Sequence, residues 1–85
     1  MDMTKEQLRE ELRAIMGGIE TPNYNLIARA TVQLPERYSQ MIIRHYFEGE
    51  TIAVLSHSMN YDSRNISRMV SEAVTALEIE LRHIE

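Results

Sequence analysis

Residues 51–74 read TIAVLSHSMNYDSRNISRMVSEAV, and this stretch decides the fold. Its first part, Ile52 to about Met59, carries Ile52, Leu55 and Met59 at the spacing of one helix face. Thr51 stands just before it, where a hydroxyl can accept from a free helical amide. Asn60-Tyr61 then interrupts the pattern, and asparagine tolerates the left-handed conformation that a tight turn needs. Asp62 or Ser63 caps a second helix, along which Ile66, Val70, Ala73 or Val74, Leu77, Leu81 and Ile84 recur at helical spacing nearly to the end. A short helix, a tight turn and a second helix with aliphatic residues inward and polar ones outward describe a helix-turn-helix.

In that arrangement Leu55, Met59, Ile66 and Val70 lock the two helices together, and Ser56 is small where they come closest. Ser63, Arg64, Asn65, Ser67, Arg68 and Ser71 fall at or near the outward face. These are residue types that read DNA: arginine grips guanine bidentately, asparagine grips adenine, and serine reaches bases or phosphates. Phosphates also favour the amide-rich start of a helix, and Thr51 is counted in the expected DNA-binding set. Tyr61, in the turn, either meets a phosphate or packs against Ile66. A competing reading makes Arg64 and Arg68 an ordinary solvated face, with Glu72 four residues on as a partner for Arg68. Two like charges four apart on a helix repel each other mildly, which favours a polyanionic partner.

Working outward, the remaining chain is also helical in pattern, and no stretch alternates apolar and polar residues between turn signals. A first helix is expected over about 4–16, with Thr4 and Gln7 set as a capping box, Leu8, Leu12 and Ile15 as its stripe, and Gly17-Gly18 as its stop. A second is expected over about 23–33, burying Ile27, Ala30 and Tyr24. A third opens at Leu34-Pro35, carries Tyr38, Met41, Ile42 and His45-Tyr46 on one face, and ends at Glu48-Gly49. The expected class is all-α, four to five helices with a helix-turn-helix and a long C-terminal helix exceeding 30 Å. Residues 1–85 form one domain: N-terminal helices over 1–33 as a dimerisation or packing element, a core over 34–77, and a helix extension over 78–85.

Composition narrows the function. Eighty-five residues bury only a modest core, which makes dimerisation a reasonable expectation. Cysteine is absent, which excludes a disulfide framework and a cysteine-ligated zinc finger and fits a reducing, cytoplasmic setting. His45, His57 and His83 are far apart and make no ligand motif, so no metal or other cofactor is expected. The start shows no apolar signal segment, and no apolar run reaches the roughly 20 residues of a membrane span. Neither a glycine-rich phosphate loop nor a nucleophile motif is present, so enzyme activity is not expected. Net charge is −4, which argues mildly against a nucleic-acid binder, but the charge is uneven. Residues 61–71 hold Arg64 and Arg68 against Asp62, whereas 72–85 hold Glu72, Glu78, Glu80 and Glu85 against Arg82.

Leu-Pro-Glu-Arg-Tyr at 34–38 and Ile-Arg-His-Tyr-Phe-Glu-Gly at 43–49 resemble the opening of the region 4 domain of bacterial sigma factors. In that family a short helix, a turn and a helix often reading Thr-Val-Ser-Arg follow, and Asn65-Ile66-Ser67-Arg68 stands in that place here. The resemblance covers roughly 34–77 and implies that Ser63, Arg64, Asn65, Ser67 and Arg68 carry recognition. The 33 residues before Leu34 are too few for the domain that binds the promoter's −10 element, so a small phage or plasmid regulator is expected rather than a complete sigma factor. The short acidic chain also resembles, more loosely, plasmid and fimbrial-operon regulators of the KorA and PapB kinds. The expected function is therefore a double-stranded DNA-binding transcription regulator. The alternative is a protein-interaction module on the same fold that binds RNA polymerase or another regulator, a reading favoured by the acidity after Glu72. A homodimer is expected, formed by the apolar surplus of Leu77, Leu81 and Ile84 with Leu8 and Leu12, although the two stripes could instead cover each other within one chain.

Overall fold

The computed structural model describes residues 3–84; Met1, Asp2 and Glu85, which the expected domain limits include, lie outside the described residues. The chain is all-α, with five α-helices among the described residues in the order α1 (Lys5–Met16), α2 (Tyr24–Val32), α3 (Glu36–Ile42), α4 (Ile52–Met59) and α5 (Ser63–Arg82). Among the described residues there is no strand.

Local chemistry sets the ends. At α1 the Thr4 hydroxyl accepts from the Gln7 amide (3.1 Å) while the Gln7 side chain accepts from the Thr4 amide (3.0 Å), the reciprocal capping box that the spacing predicts. The helix stops in a Schellman arrangement: Gly18 takes φ +88°, its amide reaches Ile15, and the Ile19 amide reaches back to the Ala14 carbonyl. Asn23 caps α2 without a side-chain cap bond. Its side-chain and backbone amides instead donate to the two oxygens of Glu11 (2.6 and 3.1 Å), which ties the start of α2 to α1.

Helix α3 differs from expectation. Pro35 is its cap rather than its first helical residue, and the α-helix ends at Ile42. Residues Ile43–Phe47 continue as a π-helical segment, closed by the Glu48 amide on the Ile43 carbonyl at 2.8 Å. The wider turn is held from outside. Arg44 donates to both Glu50 oxygens (2.9 and 2.8 Å) and to the Ser58 hydroxyl on α4 (2.7 Å), and His45 Nδ1 lies 2.7 Å from the Glu50 carbonyl.

One core fills the molecule. Leu8, Leu12 and Ile15 of α1, Ile27 and Ala30 of α2, Met41 and Ile42 of α3, Leu55 of α4, and Ile66, Val70, Ala73, Val74, Leu77 and Leu81 of α5 are buried together. Both Ala73 and Val74 are inward, and α5 at about 1.5 Å per residue is roughly 30 Å long. Burying each large aliphatic side chain contributes about 1.5–3 kcal/mol, so helical stripes of this density are enough to fix the packing.

This core includes most of the residues of the expected dimer surface. Leu8, Leu12 and Leu77 are fully buried and Leu81 is 2% exposed within a single chain. The α1 and α5 stripes cover each other where those two helices meet, the within-chain alternative that the pattern also allows. Of the five residues expected to dimerise, Ile84 alone retains partial exposure, and it packs at the edge of the same core.

Candidate nucleic-acid interface

The corner between α4 and α5 is built from short side chains that satisfy free backbone groups. Thr51 caps α4 by accepting from the Val54 amide (3.1 Å), and Asp62 caps α5 by accepting from the Asn65 amide (2.8 Å). Between them Asn60 adopts φ 59°, ψ 40°, the left-handed conformation that reverses the chain. Ser56 closes the corner from both sides. Its carbonyl accepts from the Tyr61 amide (3.2 Å), and its hydroxyl donates to the Tyr61 carbonyl. Inside the corner Leu55, Ile66 and Val70 are buried while Ile52 and Met59 are half-buried, so the two helices are held at a fixed angle by packing.

The opposite side of α5 is open. Ser63, Arg64, Ser67, Arg68 and Ser71 are exposed, as are Thr51 and Tyr61, the latter at 49%. Tyr61 thus keeps a solvent-facing surface beside a corner whose Ile66 is fully buried. Asn65 is half-buried on the flank, where its side-chain oxygen accepts from Arg68 (3.2 Å). Glu72 is exposed and forms no ion pair with Arg68; the ion pairs among the described residues are Arg44–Glu50 and Glu78–Arg82. Among the described residues, Arg64 and Arg68 are thus cations without a charged partner on the outward side of the helix.

Two flanks complete this surface. On one, a groove of about 400 Å³ brings Arg37 and Tyr38 of α3 beside Tyr61, Asn65, Arg68 and Glu72. Arg37 lies over the Tyr38 ring at 4.7 Å and donates to its hydroxyl (3.1 Å). On the other, a shallow cleft of about 170 Å³ places Arg9 of α1 beside Tyr46, Ser67 and Ser71. The Lys5 ammonium donates to the Thr75 hydroxyl at 2.7 Å. Reading residues in isolation missed Lys5, Arg9 and Arg37 as members of this face. The four-residue spacing of Lys5, Arg9 and Arg13 was a visible signal for a charged helix flank, but not for which neighbour it adjoins.

The Arg44–Glu50 pair fixes α4 against the π-helical segment. The hydrogen bonds from Arg44 hold the Glu50 carboxyl below its ordinary range, outweighing the opposing effect of partial burial. A carboxyl lowered in the folded chain stabilises it fully above the unfolded value, and that contribution disappears as pH falls through the folded one. Glu50→Gln is accordingly expected to flatten the acid limb of the stability–pH curve, and thermal melts across a pH series check this. An unchanged acid limb in the variant counts against the pair as a source of acid sensitivity.

Among the described residues no group of three or more histidine, cysteine or acidic side chains could hold a metal ion, and no helix is long and apolar enough to cross a membrane. The geometry defines an all-α chain with a helix-turn-helix corner and an outward, cation-bearing helix face. No family model, curated protein or solved structure matches the chain.

Proposed function

We propose that the chain is a sequence-specific double-stranded DNA-binding transcription regulator that lays the N-terminal half of α5 into the major groove. The observation carrying this reading is the exposed run of Ser63, Arg64, Ser67, Arg68 and Ser71, which follows directly on a left-handed corner and includes two cations without a charged partner among the described residues. Donor-rich side chains on a protruding helix suit the edges of bases in a groove about 12 Å wide. Thr51, at the start of α4, and Tyr61, in the turn, are both exposed and available to phosphates. The net charge of −4 disfavours non-specific attraction to DNA, whereas the outward face of α5 presents Arg64 and Arg68 without a charged partner among the described residues. Such a protein would bind non-specific DNA weakly and depend on base contacts. The likeness of residues 34–77 to sigma factor region 4 agrees with this role, which belongs in the cytoplasm.

Selection from random duplex fragments by the purified chain, followed by sequencing, tests the reading. A salt titration separates it from a protein-interaction module that binds RNA polymerase or another regulator: DNA affinity falls steeply with salt through counterion release, and an apolar contact does not. On the selected duplex, Arg64→Ala and Arg68→Ala are each expected to weaken binding by about 1–3 kcal/mol and relax the sequence preference, with the fold unchanged because both side chains are exposed. Unchanged affinity and selectivity in a variant would remove that arginine as a reader.

A further inference from the structure

Helix α1 is divided lengthwise by charge. Leu8, Leu12 and Ile15 are buried, and Lys5, Arg9 and Arg13 run beside them at four-residue steps. Glu6 and Glu10 occupy the next strip outward. Gln7, Glu11 and Ala14 lie on the far flank, against Thr21 and Asn23. The cationic flank is the one turned toward α5: Lys5 bonds Thr75, and Arg9 shares a cleft with Ser67 and Ser71. Numbers rise along α1 as they fall along α5, so the two helices run antiparallel there. Arg13 continues the strip beside Tyr46. The charges of Arg9 and Arg13 reach the Tyr46 phenol and oppose the rise that burial gives its pKa.

Arg9 and Arg13 are both exposed, and neither makes an ion pair among the described residues. Adjacent like charges on a helix repel, and here no carboxylate is paired with them to neutralise them. Their position, rather than their number, is informative. Arg9 borders the side of α5 that carries Ser67 and Ser71, in a cleft that Ile52 at the start of α4 also lines, and Arg13 follows one turn further along α1.

Given the DNA reading above, on which this rests, we infer that α1 supplies a phosphate-holding strip, with Arg9 and Arg13 gripping the backbone of the strand beside the groove that α5 enters. Helix α1 is then part of the binding surface as well as the cover of the core. The strip gives affinity and register without reading sequence, whereas Arg64 and Arg68 read it. Lys5, already held by Thr75, sits at the far end and extends the positive field.

The test measures binding of the full chain to its selected duplex and to a scrambled duplex over a salt series. For the double variant Arg9→Ala/Arg13→Ala, the slope of log affinity against log salt is expected to shrink by about 2, one for each phosphate no longer held. Affinity falls by the same factor on both duplexes, so the preference between them is unchanged. The charge-conserving Arg9→Lys/Arg13→Lys variant keeps the slope of the parent. Circular dichroism of both variants verifies that the fold is intact. If the parent binds and the alanine variant keeps the parental affinity and slope, the strip does not touch DNA and this inference fails alone. A lost sequence preference in the alanine variant likewise overturns the division of roles. If the parent binds no duplex, the DNA reading fails and takes the strip with it.

Discussion

Leu81→Glu is expected to unfold the chain rather than divide a dimer. Leu81 is 2% exposed and belongs to the cluster that contains Leu8, Leu12 and Leu77. A glutamate there either carries its charge into an apolar site or takes up a proton to avoid doing so, and both are costly. The loss of the leucine's packing adds to that cost. Together they exceed about 4 kcal/mol, in the range reserved for buried charges and large cavities. A domain of 85 residues holds roughly 4–13 kcal/mol in all, so a chain toward the lower end of that range is left with little folded population. The measurement is a thermal melt followed by circular dichroism, with sedimentation velocity on the same samples. The parent melts cooperatively and the variant shows no cooperative transition. A well-folded variant with half the parent's mass would place Leu81 back at an interface between two copies and overturn the packing described for α5.

That outcome bears on why the C-terminal stripe is ambiguous when read alone. Periodicity shows that Leu77, Leu81 and Ile84 lie on one side of a helix, and the same is true of Leu8, Leu12 and Ile15. It does not show what covers them. Two amphipathic helices distant in sequence can bury each other or pair with a second chain, and the patterns are identical in both cases. The deciding facts are tertiary: the antiparallel approach of α1 to α5, and the Glu11–Asn23 link that turns the chain back after α1.

The corner was legible because its determinants are local. Thr51, Asn60 and Asp62 each act within four residues of themselves, and each does in the structure what its side chain favours. The π-helical segment was not legible, because it depends on Arg44 finding Glu50 and Ser58 across the intervening turn. Propensity carries no trace of such a link. The outward face of α5 lies between these cases. Exposure of Arg64, Ser67, Arg68 and Ser71 follows from the burial of Ile66 and Val70 by helical geometry, whereas Ser63, on the same side as Ile66, is exposed as the first residue of α5. The neighbours Arg9, Arg37 and Tyr38 come from elements far away in the chain, so only the packed molecule brings them to the same surface.

Leu55→Ala and Ile66→Ala are each expected to lower the unfolding free energy by about 2–5 kcal/mol. Both side chains are fully buried, one on each arm of the corner. Truncation removes three carbons from either and leaves a cavity that the surrounding helices close only in part. The spread within that range depends on how far the site relaxes. Leu55 is the single buried residue of the short helix α4, so its loss leaves that helix with half-buried Ile52 and Met59 to hold it. Ile66 lies one turn into α5 and has Val70, Ala73 and Val74 buried beyond it, so its loss is expected to cost α5 less of its total anchoring. Urea denaturation at constant temperature reads the difference: with a slope on the order of 1 kcal/mol per molar, the midpoint moves down by roughly 2 M or more. Val54→Ala is the control on the same helix. Val54 is 48% exposed, and its truncation is expected to stay within about 0.5 kcal/mol. DNA binding provides a second readout for the two core variants, measured below their midpoints where they remain folded. A loosened corner holds Arg64 and Arg68 less firmly, so sequence preference declines along with stability. Variants that unfold at the parental midpoint would mean that neither residue occupies the core between α4 and α5.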